Sequence, residues 1–238
     1  IVRAVDALAC SELSARWMYG AVPMFRLGEE IPPIKHVLIV PNAIDTARYG
    51  YDPKKRSEIR GEFRIPSKAL VFGNIGRLCP QKNQGFLIDV FKEILKKHKN
   101  SCLLLVGNGK DKDLIQARII AAKLEGKVIL TGQRDDTDKL YSAFDCFLLP
   151  SNYEGLPVVG VEAQCAGLYC IFSDKVTKEA KLTDSAQYLS LKSSAEDWAC
   201  AALCCARLRS DTGARQLAQA GYDIDLAAKA LEEFYLSL

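Results

Sequence analysis

Two glutamates stand eight positions apart in Pro150-Ser151-Asn152-Tyr153-Glu154-Gly155-Leu156-Pro157-Val158-Val159-Gly160-Val161-Glu162. Paired carboxylates at such a spacing first read as a general acid and a general base. A second stretch, Gly73-Asn74-Ile75-Gly76-Arg77-Leu78-Cys79-Pro80-Gln81-Lys82-Asn83, sets two cations among glycines that let a ligand approach the backbone. Each feature alone has a plainer explanation: a tight turn with exposed basic residues, a solvated loop glutamate, a surface helical glutamate. Their combination is harder to explain that way.

The elements around them separate the two carboxylates. Phe147-Leu148-Leu149 reads as the end of a buried strand, Ser151 to Gly155 as the loop after it, and Pro157 as the first-turn proline of a helix. Ligands bind at the carboxyl ends of strands in an open α/β sheet. The helix from Pro157 offers its amino-terminal N–H groups to an anion. That dipole end contributes about 0.3–1 kcal/mol when exposed, against about 1.5–3 kcal/mol for a charge-assisted hydrogen bond. Arg77 and Lys82 should therefore dominate binding of a diphosphate. Glu162 lies too far along the helix to face phosphates without repulsion, but its carboxylate can accept two hydrogen bonds from a ribose diol, which suggests a nucleotide. Glu154, in the loop, would face whatever the distal phosphate carries. Gly107-Asn108-Gly109 and Gly132-Gln133-Arg134 end two further strands on the same edge, where a flat base could lie. The dinucleotide fingerprint Gly-x-Gly-x-x-Gly is absent, Asp89 falls within a helix, and there is no P-loop.

From residue 69 onward apolar runs alternate with helix-period stretches: 69–75 then 84–97, 102–106 then 112–124, 127–131 then 137–144, 146–149 then the helix from Pro157, and a strand at 168–172. Near-continuous apolar strands joined by helices predict an α/β fold, a Rossmann-like parallel sheet with helices on both faces. Three helices, 193–208, 212–220 and 223–235, form a helical carboxyl-terminal segment. Residues 5–10 and 36–40 are strand-like, separated by a junction with Gly20, Pro23, Gly28, Pro32 and Pro33, and Pro41 to Asp45 reads as a turn.

The chain has 238 residues, 49% hydrophobic and 26% charged, enough for a substantial core. A net charge of +3 without a long basic run gives no argument for nucleic acid. Nine cysteines, several in apolar runs, read as core residues of a reducing compartment rather than zinc ligands. The chain begins with Ile1 and never reaches the roughly 20 apolar residues of a membrane span, so it reads as a soluble fragment.

In combination, Val40-Pro41-Asn42-Ala43-Ile44-Asp45, Gly76-Arg77 through Lys82, Val106-Gly107-Asn108-Gly109, Gly132 followed by Tyr141 and Asp145, and the Glu154 to Glu162 spacing resemble the retaining glycosyltransferases of family 4, whose GT-B fold places two Rossmann-like domains around a cleft. Within that family the stretch from Asn152 to Gln164, together with Ala9-Cys10-Ser11 and Trp17 to Gly20, is most similar to bacterial capsular or exopolysaccharide enzymes. The sequence departs from the pattern at Ala43, where glycine is common.

The resemblance implies transfer of a sugar from a UDP- or GDP-linked donor to a glycan or lipid-linked acceptor, with retention by front-face attack or a short-lived ion pair. Double displacement with Glu154 as nucleophile is the alternative chemistry. The implied catalytic residues are Glu154, Arg77 and Lys82. The implied donor site is Gly76, Arg77, Lys82, Asn108, Gln133, Glu154, Gly155, Leu156, Pro157, Val158, Val159 and Glu162. No cofactor and no obligatory metal are implied, so the basic residues replace a divalent cation at the leaving group. Residues 1–40 would be a remnant of an amino-terminal acceptor domain with its linker, and 41–238 the nucleotide-sugar-binding domain, its last helix crossing back to the other domain. The implied location is cytoplasmic, with peripheral contact at the inner face of the cell membrane. Alternatives are a non-catalytic nucleotide-sugar-binding or interaction module of the same fold, and a sugar-nucleotide epimerase.

Overall fold

The computed structural model, which describes residues 7–20, 23–26, 29 and 37–236, turns the apolar runs into the strands of two parallel sheets. The small sheet holds β1 (Ala7–Ala9), β2 (Met24–Arg26) and β3 (Val37–Ile39) in the order β1-β3-β2, with α1 (Glu12–Tyr19) between β1 and β2. Val5, Asp6 and His36, expected as strand ends, and Gly28, Pro32 and Pro33 of the expected junction lie outside the described residues. Next come α2 (Thr46–Tyr49) and α3 (Pro53–Glu62).

The large sheet contains β4 (Leu70–Ile75), β5 (Ser101–Val106), β6 (Val128–Gly132), β7 (Cys146–Leu149), β8 (Cys170–Ser173) and β9 (Ala186–Leu189). Between the strands run α4 (Gln84–Lys97), α5 (Lys112–Ala121), α6 (Thr137–Ala143) and α7 (Val158–Cys165), with a one-turn helix at Lys178–Ala180. After β9 come α8 (Ala195–Cys205), α9 (Gly213–Gln219) and α10 (Ile224–Leu236). All pairings are parallel and the order is β6-β5-β4-β7-β8-β9. The chain enters at β4, moves outward through β5 and β6, and returns to β7 on the other side of β4. The order therefore reverses between β4 and β7, and a crevice opens there.

Strand alternation sends Val71, Leu104, Phe147 and Phe172 to one face, where they pack with Ile59, Tyr141 and Ala163 of α3, α6 and α7. Leu70, Phe72, Leu103, Leu105 and Leu148 go to the other, against Leu87, Phe91, Ile115 and Trp198 of α4, α5 and α8. Each fully buried leucine or phenylalanine contributes about 1.5–3 kcal/mol, and this two-sided burial explains why the strands are apolar throughout.

Several local expectations change. Strand β8 begins at Cys170 rather than 168, and α5 ends at Ala121 rather than 124. Strand β9 and helices α2 and α3 were not expected. Pro157 is the N-cap of α7, extended at φ −76° and ψ 109°, not its first helical residue. Cys102, Cys146 and Cys170 are core residues, whereas Cys200 and Cys204 are exposed on α8, contrary to the expectation of core packing.

Candidate functional site

Gly76, Arg77, Asn108 and Gln133 line one cleft of about 270 Å³ at the carboxyl ends of β4, β5 and β6, together with Ile75, Val106, Gly107, Arg134 and Thr137. Its floor is backbone against backbone. Gly76 N–H donates to the Val106 carbonyl at 2.9 Å, Leu78 N–H to Asn108 O at 3.0 Å, and Gly107 N–H to Gly132 O at 2.8 Å. Gly107 has φ +133°, and a Cβ there would overlap the Gly76 carbonyl. Arg77 is exposed at the rim and has no ion-pair partner among the described residues. Arg134 is held by Asp136 and by both oxygens of Glu62, at 2.6 and 3.0 Å, which keeps its guanidinium charged far above ordinary pH.

Across the β4/β7 crevice the loop after β4 and the loop after β7 are tied together. Asn152 N–H donates to Gln81 O and Asn152 Nδ2 to Pro80 O, both at 2.7 Å, while Gln81 Nε2 donates to Tyr153 O at 3.1 Å. Between these bonds Lys82 and Glu154 form an ion pair, their side chains 15% and 9% exposed.

Gly155 and Leu156 lead from this pair to Pro157 and α7. Proline offers no side-chain acceptor, and no hydrogen bond ties Pro157 to the first turn from its side chain. Among the described residues the amides of Gly155, Leu156, Val158 and Val159 have no acceptor. Helices α4, α5 and α6, which follow the neighbouring strands, also lack side-chain caps, whereas α3 and α8 are capped by Asp52 and Ser194. Open helix ends thus face the carboxyl edge beside the crevice. Among the described residues three buried side-chain oxygens lack partners, Asn74 Oδ1, Gln84 Oε1 and Ser151 Oγ, on β4, α4 and the loop after β7.

Glu162 is neither a surface residue nor part of the cleft lining. It is half-buried on α7, where Tyr141 Oη donates to Glu162 Oε2 at 2.7 Å. Burial raises the Glu162 carboxyl above its ordinary range, opposed by the bonds from Tyr141 and Tyr49. Burial, reinforced by the Glu162 charge, pushes the Tyr141 phenol well above its ordinary value. Tyr49 packs 6.0 Å from the Tyr141 ring, and its hydroxyl lies 3.4 Å from Thr137 Oγ1 at the cleft. Sequence reasoning missed Tyr49 and Thr137. Nothing in their spacing points to the cleft, because they arrive on α2 and α6 from separate parts of the chain.

Asp145 has a structural part: its carboxylate accepts from Arg56 and Arg60 at 2.6 Å each and from Val71 N–H at 2.8 Å. A cavity of about 710 Å³ lies at this amino-terminal edge of the sheet beside Arg56, Arg207 and Arg209. These arginines mainly hold carbonyls: Arg56 and Arg209 both bind Phe144 O at the end of α6. Three Asp-x-Asp spacings occur, at Asp111/Asp113, Asp136/Asp138 and Asp223/Asp225. All stand at helix starts and none of these carboxylates lines the cleft, although Thr137 between the second pair does; Asp136 and Asp138 are taken up by Arg134 and by Arg48 and Lys55. Among the described residues no three His, Cys, Asp or Glu side chains are grouped to hold a metal, and no helix is long and apolar enough to cross a membrane.

The "Putative glycosyltransferase EpsF" of Bacillus subtilis (strain 168) is 29% identical over 99% of this chain and 60% of its own length. The UDP-Gal:alpha-D-GlcNAc-diphosphoundecaprenol alpha-1,3-galactosyltransferase of Escherichia coli is 31% identical over 60% of this chain and 38% of its own. The chain thus spans less than two thirds of the length of these curated relatives. Among solved structures, Anabaena Alr3699/HepE in complex with UDP and glucose superposes with a TM-score of 0.72 at 21% identity, covering 85% of this chain and 57% of that one. At that identity the likeness concerns the fold, and it agrees with the six-stranded parallel sheet covered on both faces. Residues 55–201, which include the cleft, the Lys82–Glu154 pair and Glu162, match the model of Glycosyl transferases group 1, and the chain belongs to that family.

Proposed function

We propose that this chain supplies the donor site of a retaining glycosyltransferase that moves a sugar from a nucleoside-diphosphate sugar to a glycan or lipid-linked acceptor. The observation that carries the reading is the convergence at the β4/β7 crevice of Arg77, the Lys82–Glu154 pair and four amides without an acceptor, two cations and a row of donors matched by a single carboxylate. The base would lie in the cleft beside Asn108 and Gln133. Glu162, oriented by Tyr141, would accept from the ribose diol. The diphosphate would take Lys82 away from Glu154 and accept from the amides of 155–159, so charge developing on the leaving group meets fixed donors. Arg77 and Lys82 then play the part that a divalent cation plays elsewhere. As the C1–O bond to the diphosphate breaks, the acceptor oxygen attacks C1 from the same face and its proton passes to the departing phosphate oxygen.

The fold shared with a UDP-bound neighbour, and relatives named for UDP-galactose and GDP-mannose, support a nucleotide-sugar donor and acceptors of the glycolipid or polysaccharide type. Titration calorimetry with UDP, GDP and ADP tests the site: one should bind clearly, weakened about tenfold by Arg77→Ala and also by Glu162→Ala. Absence of binding by all three would sink the reading. In a transfer assay Glu154→Gln should lower turnover more than donor affinity, and flotation with vesicles tests contact with a membrane.

A further inference from the structure

Helix α1 starts with amides that no preceding turn can satisfy. One is capped locally, Ser14 N–H donating to Ser11 Oγ at 3.1 Å. The first two are satisfied from far away: Glu12 N–H donates to Glu179 Oε2 and Leu13 N–H to Glu179 Oε1, each at 2.9 Å, across sequence separations of 167 and 166 residues. A carboxylate across two amides at the positive end of a helix makes charge-assisted hydrogen bonds and complements the dipole. Sequence reasoning assigned nothing to Glu179.

The segment that carries Glu179 is itself fastened. Tyr188 Oη donates to Thr177 O at 2.7 Å, and Lys178 Nζ lies 3.6 Å from the Tyr188 ring centre. Thr177 Oγ1 accepts from Glu179 N–H at 3.4 Å. On its other side the segment is laddered to the loop of the proposed donor site: Glu154 N–H donates to Lys175 O at 3.2 Å and Thr177 N–H to Glu154 O at 3.3 Å. Glu154 thus holds Lys82 by its side chain and the 175–177 segment by its main chain, two residues from the carboxylate that caps α1.

We infer that Glu179 is a positioning residue, fixing α1 against the loop that contains Glu154 and coupling the docking of α1 to occupancy of that loop. The inference rests on the reading of Lys82 and Glu154 as donor-site residues. A diphosphate that draws Lys82 from Glu154 resets the loop, the ladder carries the change to Thr177, and the cap on α1 tightens. Coupling of this kind is reciprocal, so α1 docked through Glu179 favours the nucleotide by the same factor.

Amide hydrogen exchange on the 238-residue chain, with and without saturating UDP, or GDP if the titration selects it, tests this. With nucleotide the Glu12 and Leu13 amides should exchange about fivefold more slowly, the lower end of usual coupling. The Ser14 amide, capped locally, is the control and should change less. In Glu179→Ala the two amides should exchange faster and ignore nucleotide, and the dissociation constant should rise by no more than the same factor. Glu179→Gln, which keeps one acceptor oxygen, should fall between. The cap residue is partly exposed, so neither variant should unfold the chain. Nucleotide binding without any response at Glu12 and Leu13 overturns the coupling and leaves the donor site standing. Binding of no nucleotide overturns both.

Discussion

Lys82 and Glu154, 72 residues apart, form an ion pair at the crevice between β4 and β7, with little of either side chain exposed. Lys82, the cation proposed to hold the diphosphate, is thus neutralised by the Glu154 carboxylate in this structure. Removing one partner of such a pair leaves a charge stranded in a poorly solvated place, which costs about 3 kcal/mol. Lys82→Ala should therefore lower the urea midpoint substantially, although Gln81 Nε2, 3.4 Å from Glu154 Oε2, offers some relief. Lys82→Met with Glu154→Met should recover at least half of the loss. If the double variant is as unstable as Lys82→Ala, the pair is not the source of the effect.

Glu162 should give stability a pH dependence of a particular sign. Its carboxyl is raised by burial from an ordinary value of 4.5, so the folded state holds the proton more tightly than the unfolded state. Stability contributed by the protonated form is present below the ordinary value and is lost as pH rises through the raised one. In Glu162→Gln that loss disappears. Urea midpoints at pH 4 and pH 7 should show the variant gaining on the native chain as pH rises. Tyr141→Phe, which removes the O–H that stabilises the carboxylate, should steepen the native trend; a flat difference for both variants would contradict the assignment.

The central strands were legible because burial on both faces leaves nothing polar to confuse the pattern, as in Leu103-Leu104-Leu105. Strand β9 was not, since Ala186-Gln187-Tyr188-Leu189 is a short edge strand with one well-buried residue. Helix α3 carries its signals in Asp52 and Pro53, yet only Ile59 and Arg60 are buried, so its apolar stripe is too narrow to register. At the site, residue types and strand ends placed Gly76, Arg77, Asn108 and Gln133 together. The Lys82–Glu154 pairing and the Tyr49–Tyr141–Glu162 cluster depend on which strands become neighbours. That information resides in the reversal of strand order, not in local spacing.

Gly107 should tolerate no side chain. Its φ of +133° is outside the range other residues adopt readily, and a Cβ would collide with the Gly76 carbonyl. Gly107→Ala must therefore separate the loops after β4 and β5, breaking bonds such as Gly76 N–H to Val106 O. We expect a loss of about 2–3 kcal/mol in chemical denaturation and loss of nucleotide binding even where the variant is folded. Gly155→Ala, with open space around its Cβ position, is the control and should leave stability within about 0.5 kcal/mol.

The open amides before and within α7 can be tested one at a time without breaking the helix. Val158 occupies the first helical position, where proline is well tolerated because its missing N–H has no helical partner. Pro157 before it is already extended at φ −76° and ψ 109°, the conformation that a residue preceding proline prefers. Val158→Pro should thus delete one donor of the proposed phosphate site while stability stays nearly unchanged. A main-chain bond to a charged oxygen contributes about 1.5 kcal/mol or more, so affinity for the bound nucleotide should fall roughly tenfold. Adenosine-type probes without phosphate should be indifferent to the change. Should the variant bind nucleotide diphosphate as tightly as the native chain, the start of α7 is not where the phosphates lie, and Arg77 and Lys82 would have to hold them from the other side of the crevice alone.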